Sequence, residues 1–99
     1  MGDSFSIADL IEAMRIGHEI EFCFDGDYFF IQPDYEYDKS HFEGKKYEAH
    51  YILDKCKSFY DNQAQRIYSG TCDEILHFHI KDDLSIIHNF EKFTVLCIL

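Results

Sequence analysis

His18-Glu19-Ile20-Glu21-Phe22-Cys23-Phe24-Asp25-Gly26-Asp27-Tyr28-Phe29-Phe30-Ile31-Gln32-Pro33 is the stretch whose reading decides the fold. Apolar and polar residues alternate up to Phe24, Asp25-Gly26 interrupts, and the pattern resumes from Asp27. A two-residue hairpin turn needs positive φ at both central positions, and Asp-Gly accepts this at little steric cost. That turn sets Phe24 opposite Asp27, Phe22 opposite Phe29 and Ile20 opposite Ile31. Ile20, Phe22, Phe29 and Ile31 then share one side, and a slip of one residue would turn all of them to water. The other side, with Glu19, Glu21, Cys23, Tyr28, Phe30 and Gln32, is acidic and aromatic together.

Upstream, residues 4–17 are predicted to be an amphipathic helix, because Ile7, Leu10, Ile11 and Met14 fall on one stripe. Ser6 is placed to cap the first amides, with Asp9 near the positive end of the helix dipole and Phe5 against Leu10 as a staple. Gly17 provides the left-handed stop. The helix runs straight into the hairpin, so its stripe is expected to pack on Ile20, Phe22, Phe29 and Ile31.

Downstream, Pro33 cannot donate to a ladder and closes the second strand. Asp34-Tyr35-Glu36-Tyr37-Asp38-Lys39-Ser40-His41 has no core-forming period and reads as the longest exposed loop. Lys46 to Asp54 alternates again, with Tyr47, Ala49, Tyr51 and Leu53 on one side, and is expected to be a strand. Cys56–Tyr60 and Gln63–Tyr68 fit two short strands around Asp61-Asn62, with a short helix over residues 55–61 as the competing reading. Thr71-Cys72-Asp73-Glu74 matches a capping box followed by Ile75, Leu76 and Phe78 as buried residues, and Asp82 or Asp83 is placed to cap another short helix with Leu84, Ile87 and Phe90. Phe93-Thr94-Val95-Leu96-Cys97-Ile98-Leu99 has no charge and would aggregate on an edge, so an interior strand or a tail docked in the core is expected. The fold class is α+β, one domain over residues 1–99: an antiparallel sheet built on the central hairpin, the first helix on one face, and short C-terminal helices.

The charge narrows the function. With 19 acidic and 9 basic residues among 99, the formal charge is −10, a field that repels nucleic acid and anionic lipid and attracts basic proteins. A chain this long can bury about 60–70% of its unfolded surface, enough for one core. Cys23, Cys56, Cys72 and Cys97 are widely and irregularly spaced, as in a reduced, cytoplasmic protein. Neither a secretory pattern nor an apolar run of membrane-spanning length is present, so no membrane association is expected.

Motifs for chemistry are weak. Asp34, Glu36 and Asp38 alternate as in a calcium loop, but Lys39 stands where Gly is needed and Lys45 where the bidentate Glu is needed. His77 and His79 lack zinc spacing, and no nucleophile elbow, phosphate loop or dinucleotide fingerprint occurs. No cofactor, metal site or catalytic residue is therefore assigned. The pattern that stands out is electrostatic: from Glu19 to Glu48, nine carboxylates face three lysines, interleaved with Tyr28, Phe30, Tyr35, Tyr37, Phe42 and Tyr47. Carboxylates beside aromatic rings are the make-up of an interface core with a charged rim. The expected contact set is Asp25, Asp27, Asp34, Tyr35, Glu36, Tyr37, Asp38 and Glu43, with the Glu19, Glu21 and Tyr28 side of the hairpin as its edge.

Gly17 followed by His18-Glu19-Ile20-Glu21-Phe22 and Asp25-Gly26-Asp27-Tyr28 resembles a group of small bacterial proteins, as does Gly70-Thr71 through Ile75-Leu76, Phe78 and Ile80 with Leu84 and Ile87. In size and charge the chain resembles the immunity proteins of contact-dependent growth inhibition and related toxin systems. That resemblance implies a non-catalytic cytoplasmic protein that neutralises a cognate toxin domain, often an RNase, by direct binding. A basic protein toxin domain is the expected partner. An acidic adaptor or regulatory subunit is the second reading, and a small hydrolase the third.

Overall fold

The Asp25-Gly26 turn has positive φ at both residues, 53° and 84°, as a tight two-residue hairpin requires. It joins β1 (Ile20–Phe24) to β2 (Asp27–Pro33), and the pairing has Ile20 opposite Ile31, Phe22 opposite Phe29 and Phe24 opposite Asp27. The register is the one the alternation demands. The rings of Phe22 and Phe29 stack at 5.3 Å, and both are buried. These positions come from a computed structural model, which describes residues 5–37, 49–56 and 64–98.

Around this hairpin the chain builds a five-stranded antiparallel sheet, completed by β3 (His50–Cys56), β4 (Gln65–Thr71) and β7 (Thr94–Ile98) in the order β4-β3-β2-β1-β7. Tyr51 and Leu53 point to the same face as Phe29 and Ile31 and are buried there. Lys55 and Cys56 lie in β3, so the helical alternative fails at that end, while residues 57–61 and the proposed Asp61-Asn62 turn lie outside the described residues. Of the strand expected over Lys46 to Asp54, residues 46–48 lie outside the described residues, and His50 to Asp54 fall within β3.

Helix α1 (Ile7–Arg15) is shorter than residues 4–17 because both ends are closed by caps. At its start the Ser6 hydroxyl accepts from the Asp9 amide at 3.2 Å, and the Asp9 carboxylate accepts from the Ser6 amide at 2.9 Å. At its end Gly17, with φ 94°, donates to the Met14 carbonyl and His18 donates to the Ala13 carbonyl, which satisfies two of the orphan acceptors of the last turn. Leu10, Ala13 and Met14 are buried against Ile20, Phe22, Phe29 and Ile31. Phe5 adds its ring 6.3 Å from Phe90.

The capping box at Thr71 forms as read and starts α2 (Cys72–His77), with Ile75 and Leu76 in the core; Phe78 is half-buried and stacks on Tyr68 at 4.4 Å. Two expectations fail further on. Asp82 and Asp83 do not cap a helix: they form the turn between β5 (His79–Lys81) and β6 (Leu84–Ser85), with Asp82 at φ 51°. The cap of α3 (Ile86–Asn89) is Ser85, whose hydroxyl accepts from the His88 amide. Asp tolerates left-handed backbone, and a turn and a helix cap draw on the same residue types, so the two are hard to tell apart in sequence.

The last segment is neither interior nor merely docked. Among the described residues β7 pairs with β1 alone and is an outermost strand of the sheet. Glu21 lies opposite Cys97 while Phe22 lies opposite Val95, which leaves Leu96 as an extra, bulged residue. At the other edge, Leu53 faces Tyr68 and Asp54 faces Arg66, so Ile67 is bulged in β4. A bulge breaks the row of amides and carbonyls that another chain would need for strand pairing. That is how an uncharged edge is tolerated.

Candidate protein-binding surface

All of the helices described above lie on the face of the sheet that carries Ile20, Phe22, Phe29, Ile31, Tyr51 and Leu53. Glu21, Cys23, Tyr28, Phe30, Gln32, Ile52, Asp54 and Cys56 point to the opposite face, because they alternate with the core positions along β1, β2 and β3. On it Ile52 and Cys56 are buried, while Glu21, Cys23, Tyr28, Phe30, Gln32 and Asp54 are half-buried. A concavity of about 220 Å³ opens there, lined by Glu19, Glu21, Phe30, Ile31, Gln32, Asp54 and Ala64. The Gln32 amide donates to one Asp54 carboxylate oxygen at 3.3 Å and fixes that group against β2.

The hairpin tip has different electrostatics. Asp25 is ion-paired with Lys81, and Asp27 lies 3.4 Å from the Lys55 ammonium. The hydrogen bond from Lys81, and then its charge, hold the Asp25 carboxyl below the usual aspartate value, while Asp25 in turn raises the lysine. These contacts tie the β1–β2 turn to the end of β5. By contrast, no ion pair joins Glu19, Glu21 or Asp54 to a cation among the described residues. Arg66 stands opposite Asp54 in the β3–β4 register, with its side chain exposed.

Of the expected contact set, Asp34 accepts from the Tyr37 amide at 3.1 Å and caps a helical turn at residues 35–37. The supposed loop therefore begins as helix. Tyr35 is 67% exposed, Glu36 is exposed, and Tyr37 packs on the His50 ring at a centroid distance of 3.8 Å. Asp38 and Glu43 lie outside the described residues. The set divides into an internally paired tip, Asp25 and Asp27, and a capped turn carrying an outward tyrosine. Asp54 was absent from it: its alternation with Leu53 was visible, but its place beside Glu21 and Phe30 depends on pairing between distant strands.

Other chemistry finds little support in the geometry. Among the described residues, no group of three or more His, Cys, Asp or Glu side chains could hold a metal ion. His77 ends α2 and takes the Asp73 carbonyl at 2.8 Å, whereas His79 starts β5, so the two rings serve different elements. The Ser85 hydroxyl meets His88 Nδ1 at 2.9 Å, but Ser85 is only 2% exposed and is the helix cap, a poor nucleophile for any substrate outside. Among the described residues, none of the four cysteines is joined in a disulfide. No helix of the described residues is long and apolar enough to cross a membrane.

No family model matches the chain, and no curated protein or solved structure matches it either.

Proposed function

We propose that this chain is a non-catalytic immunity protein that acts in the cytoplasm, neutralising a cognate basic toxin domain, such as an RNase, by direct non-covalent binding. The observation that carries this reading is the separation of charge from core. Helices α1, α2 and α3 and the main core cluster take one face of the sheet, and Glu21 and Asp54, with Phe30 and Gln32 and beside Ile52 and Cys56, take the other. A basic enzyme that binds nucleic acid presents lysines and arginines around its active site, and a surface of −10 net charge complements it. Tyr35, exposed on a turn capped by Asp34, adds an outward ring of the type in which protein interfaces are enriched. Occupation of the toxin, with no turnover, is the whole activity.

The test starts from the neighbouring gene. A toxin domain encoded beside this one is produced in cells with and without the chain, and association of the purified pair is followed by stopped-flow fluorescence at two salt concentrations. Protection of the cells, together with an association rate that falls steeply with salt, is expected. Binding without protection would move the protein to the adaptor class, and turnover of a substrate without any partner would make it an enzyme.

A further inference from the structure

Resting on the neutralisation reading above, we infer that the partner docks on the face of the sheet opposite α1, α2 and α3 and not at the hairpin tip, seating a lysine or arginine side chain in the concavity lined by Glu19, Glu21, Asp54 and Phe30. The occupant is a protein segment rich in basic residues. Several observations converge on it.

The tip has little charge left to offer, because Asp25 and Asp27 are matched by Lys81 and Lys55. On the face opposite α1, α2 and α3, Glu19, Glu21 and Asp54 have no ion-pair cation among the described residues. An incoming cation there gains new charge-assisted hydrogen bonds without breaking old ones. The concavity is lined by an aromatic ring as well as by carboxylates, and a guanidinium or ammonium over such a ring gains a cation–π contact. The aliphatic stem of either side chain has the half-buried Phe30 ring to lie against.

The edges point the same way. Both outer strands of the sheet formed by the described residues carry a bulge, at Leu96 and at Ile67, which disfavours extension of the sheet by an added strand. Recognition is left to side chains on the face. Gln32 holds one Asp54 oxygen, which presents the carboxylate in a set orientation before the partner arrives.

The probe is a nona-arginine peptide titrated into isotopically labelled protein, with amide and aromatic shifts followed by NMR. Shifts centred on Glu19, Glu21, Phe30 and Asp54 are expected, with smaller ones at Asp25 and Asp27. Glu21→Gln with Asp54→Asn should weaken the peptide about tenfold. Asp83→Asn with Glu91→Gln changes net charge equally at exposed sites elsewhere and should change affinity less than about twofold. Phe30→Leu keeps the apolar bulk and should still lose about threefold, which covers the case in which the charge variant fails to fold. Shifts centred on the tip or on residues 34–37, or equal weakening by both charge pairs, would overturn the assignment. Either result leaves the neutralisation reading standing, since that reading is decided by whether the unaltered chain protects cells from its toxin.

Discussion

Tyr51 of β3 donates its hydroxyl to the backbone carbonyl of Met14, at 2.9 Å, in the buried seam between the sheet and the end of α1. The same carbonyl accepts from Gly17, so the helix stop and the third strand meet at one oxygen. This bond sets how α1 sits on the sheet.

Tyr51→Phe should therefore be mild. The Met14 carbonyl keeps its bond from Gly17, so no buried acceptor is orphaned, and the loss is that of one hydrogen bond, about 1 kcal/mol. Tyr51→Ala also opens a cavity and should cost about 3 kcal/mol or more. Urea unfolding of the two variants separates the ring from its hydroxyl.

Gly70 should resist substitution. A Cβ there would meet Glu74 Oε1 at 2.7 Å and Glu74 Cβ at 3.1 Å, and that carboxylate is the one accepting from the Thr71 amide at 2.9 Å. Gly70→Ala must push the capping carboxylate aside, at a cost of about 1 kcal/mol, similar to losing the cap hydroxyl in Thr71→Ala. Because both changes strike one cap, the double variant should lose less than the sum. Thermal unfolding of the three proteins tests this.

Acid should loosen the helix starts first. The Ser6 backbone amide and then its hydroxyl hold Asp9 below the usual 3.8, and the Thr71 amide and hydroxyl do the same for Glu74 against its usual 4.5. A carboxyl with a lowered folded pKa contributes stability that is complete above its unfolded value and is lost as pH falls through the folded one. Asp25 belongs to the same acid window. Lys81, raised by Asp25, behaves oppositely: its contribution is complete below 10.5 and disappears as pH rises through the folded value. Denaturant midpoints should fall below about pH 4.5, and Asp9→Asn with Glu74→Gln should flatten that fall. An unchanged acid slope in the double variant would falsify the assignment to the two caps.

Deleting Leu96 should make the protein self-associate. It is the extra residue of β7, and its removal would join the Val95–Phe22 and Cys97–Glu21 pairs into an unbroken edge without charge. An unbroken apolar edge pairs with other edges. Light scattering should show mass rising with concentration in the deletion and staying flat in the parent chain.

Much of the fold was legible because its signals are local. The register of the hairpin follows from one dipeptide and a period of two, and the caps at Ser6 and Thr71 follow from residues three apart. Asp82-Asp83 misled because turn and cap use the same chemistry, and Ser85, two residues on, took the helix. Residues 93–99 misled because an uncharged run reads as interior. The bulge that protects it is a mismatch between two strands more than 70 positions apart in the chain.

Alone, then, the sequence determined the hairpin, its apolar side, the capped helices and the acidic balance, since each depends on neighbours within a few positions. Only the tertiary structure decided which carboxylates are neutralised. Asp25 meets Lys81 and Asp27 meets Lys55 across long stretches of chain, while Asp54 is carried beside Glu21 and Phe30 by strand pairing. Charge at a surface is set by what lies within a few ångströms in space, and spacing along the chain does not reveal that.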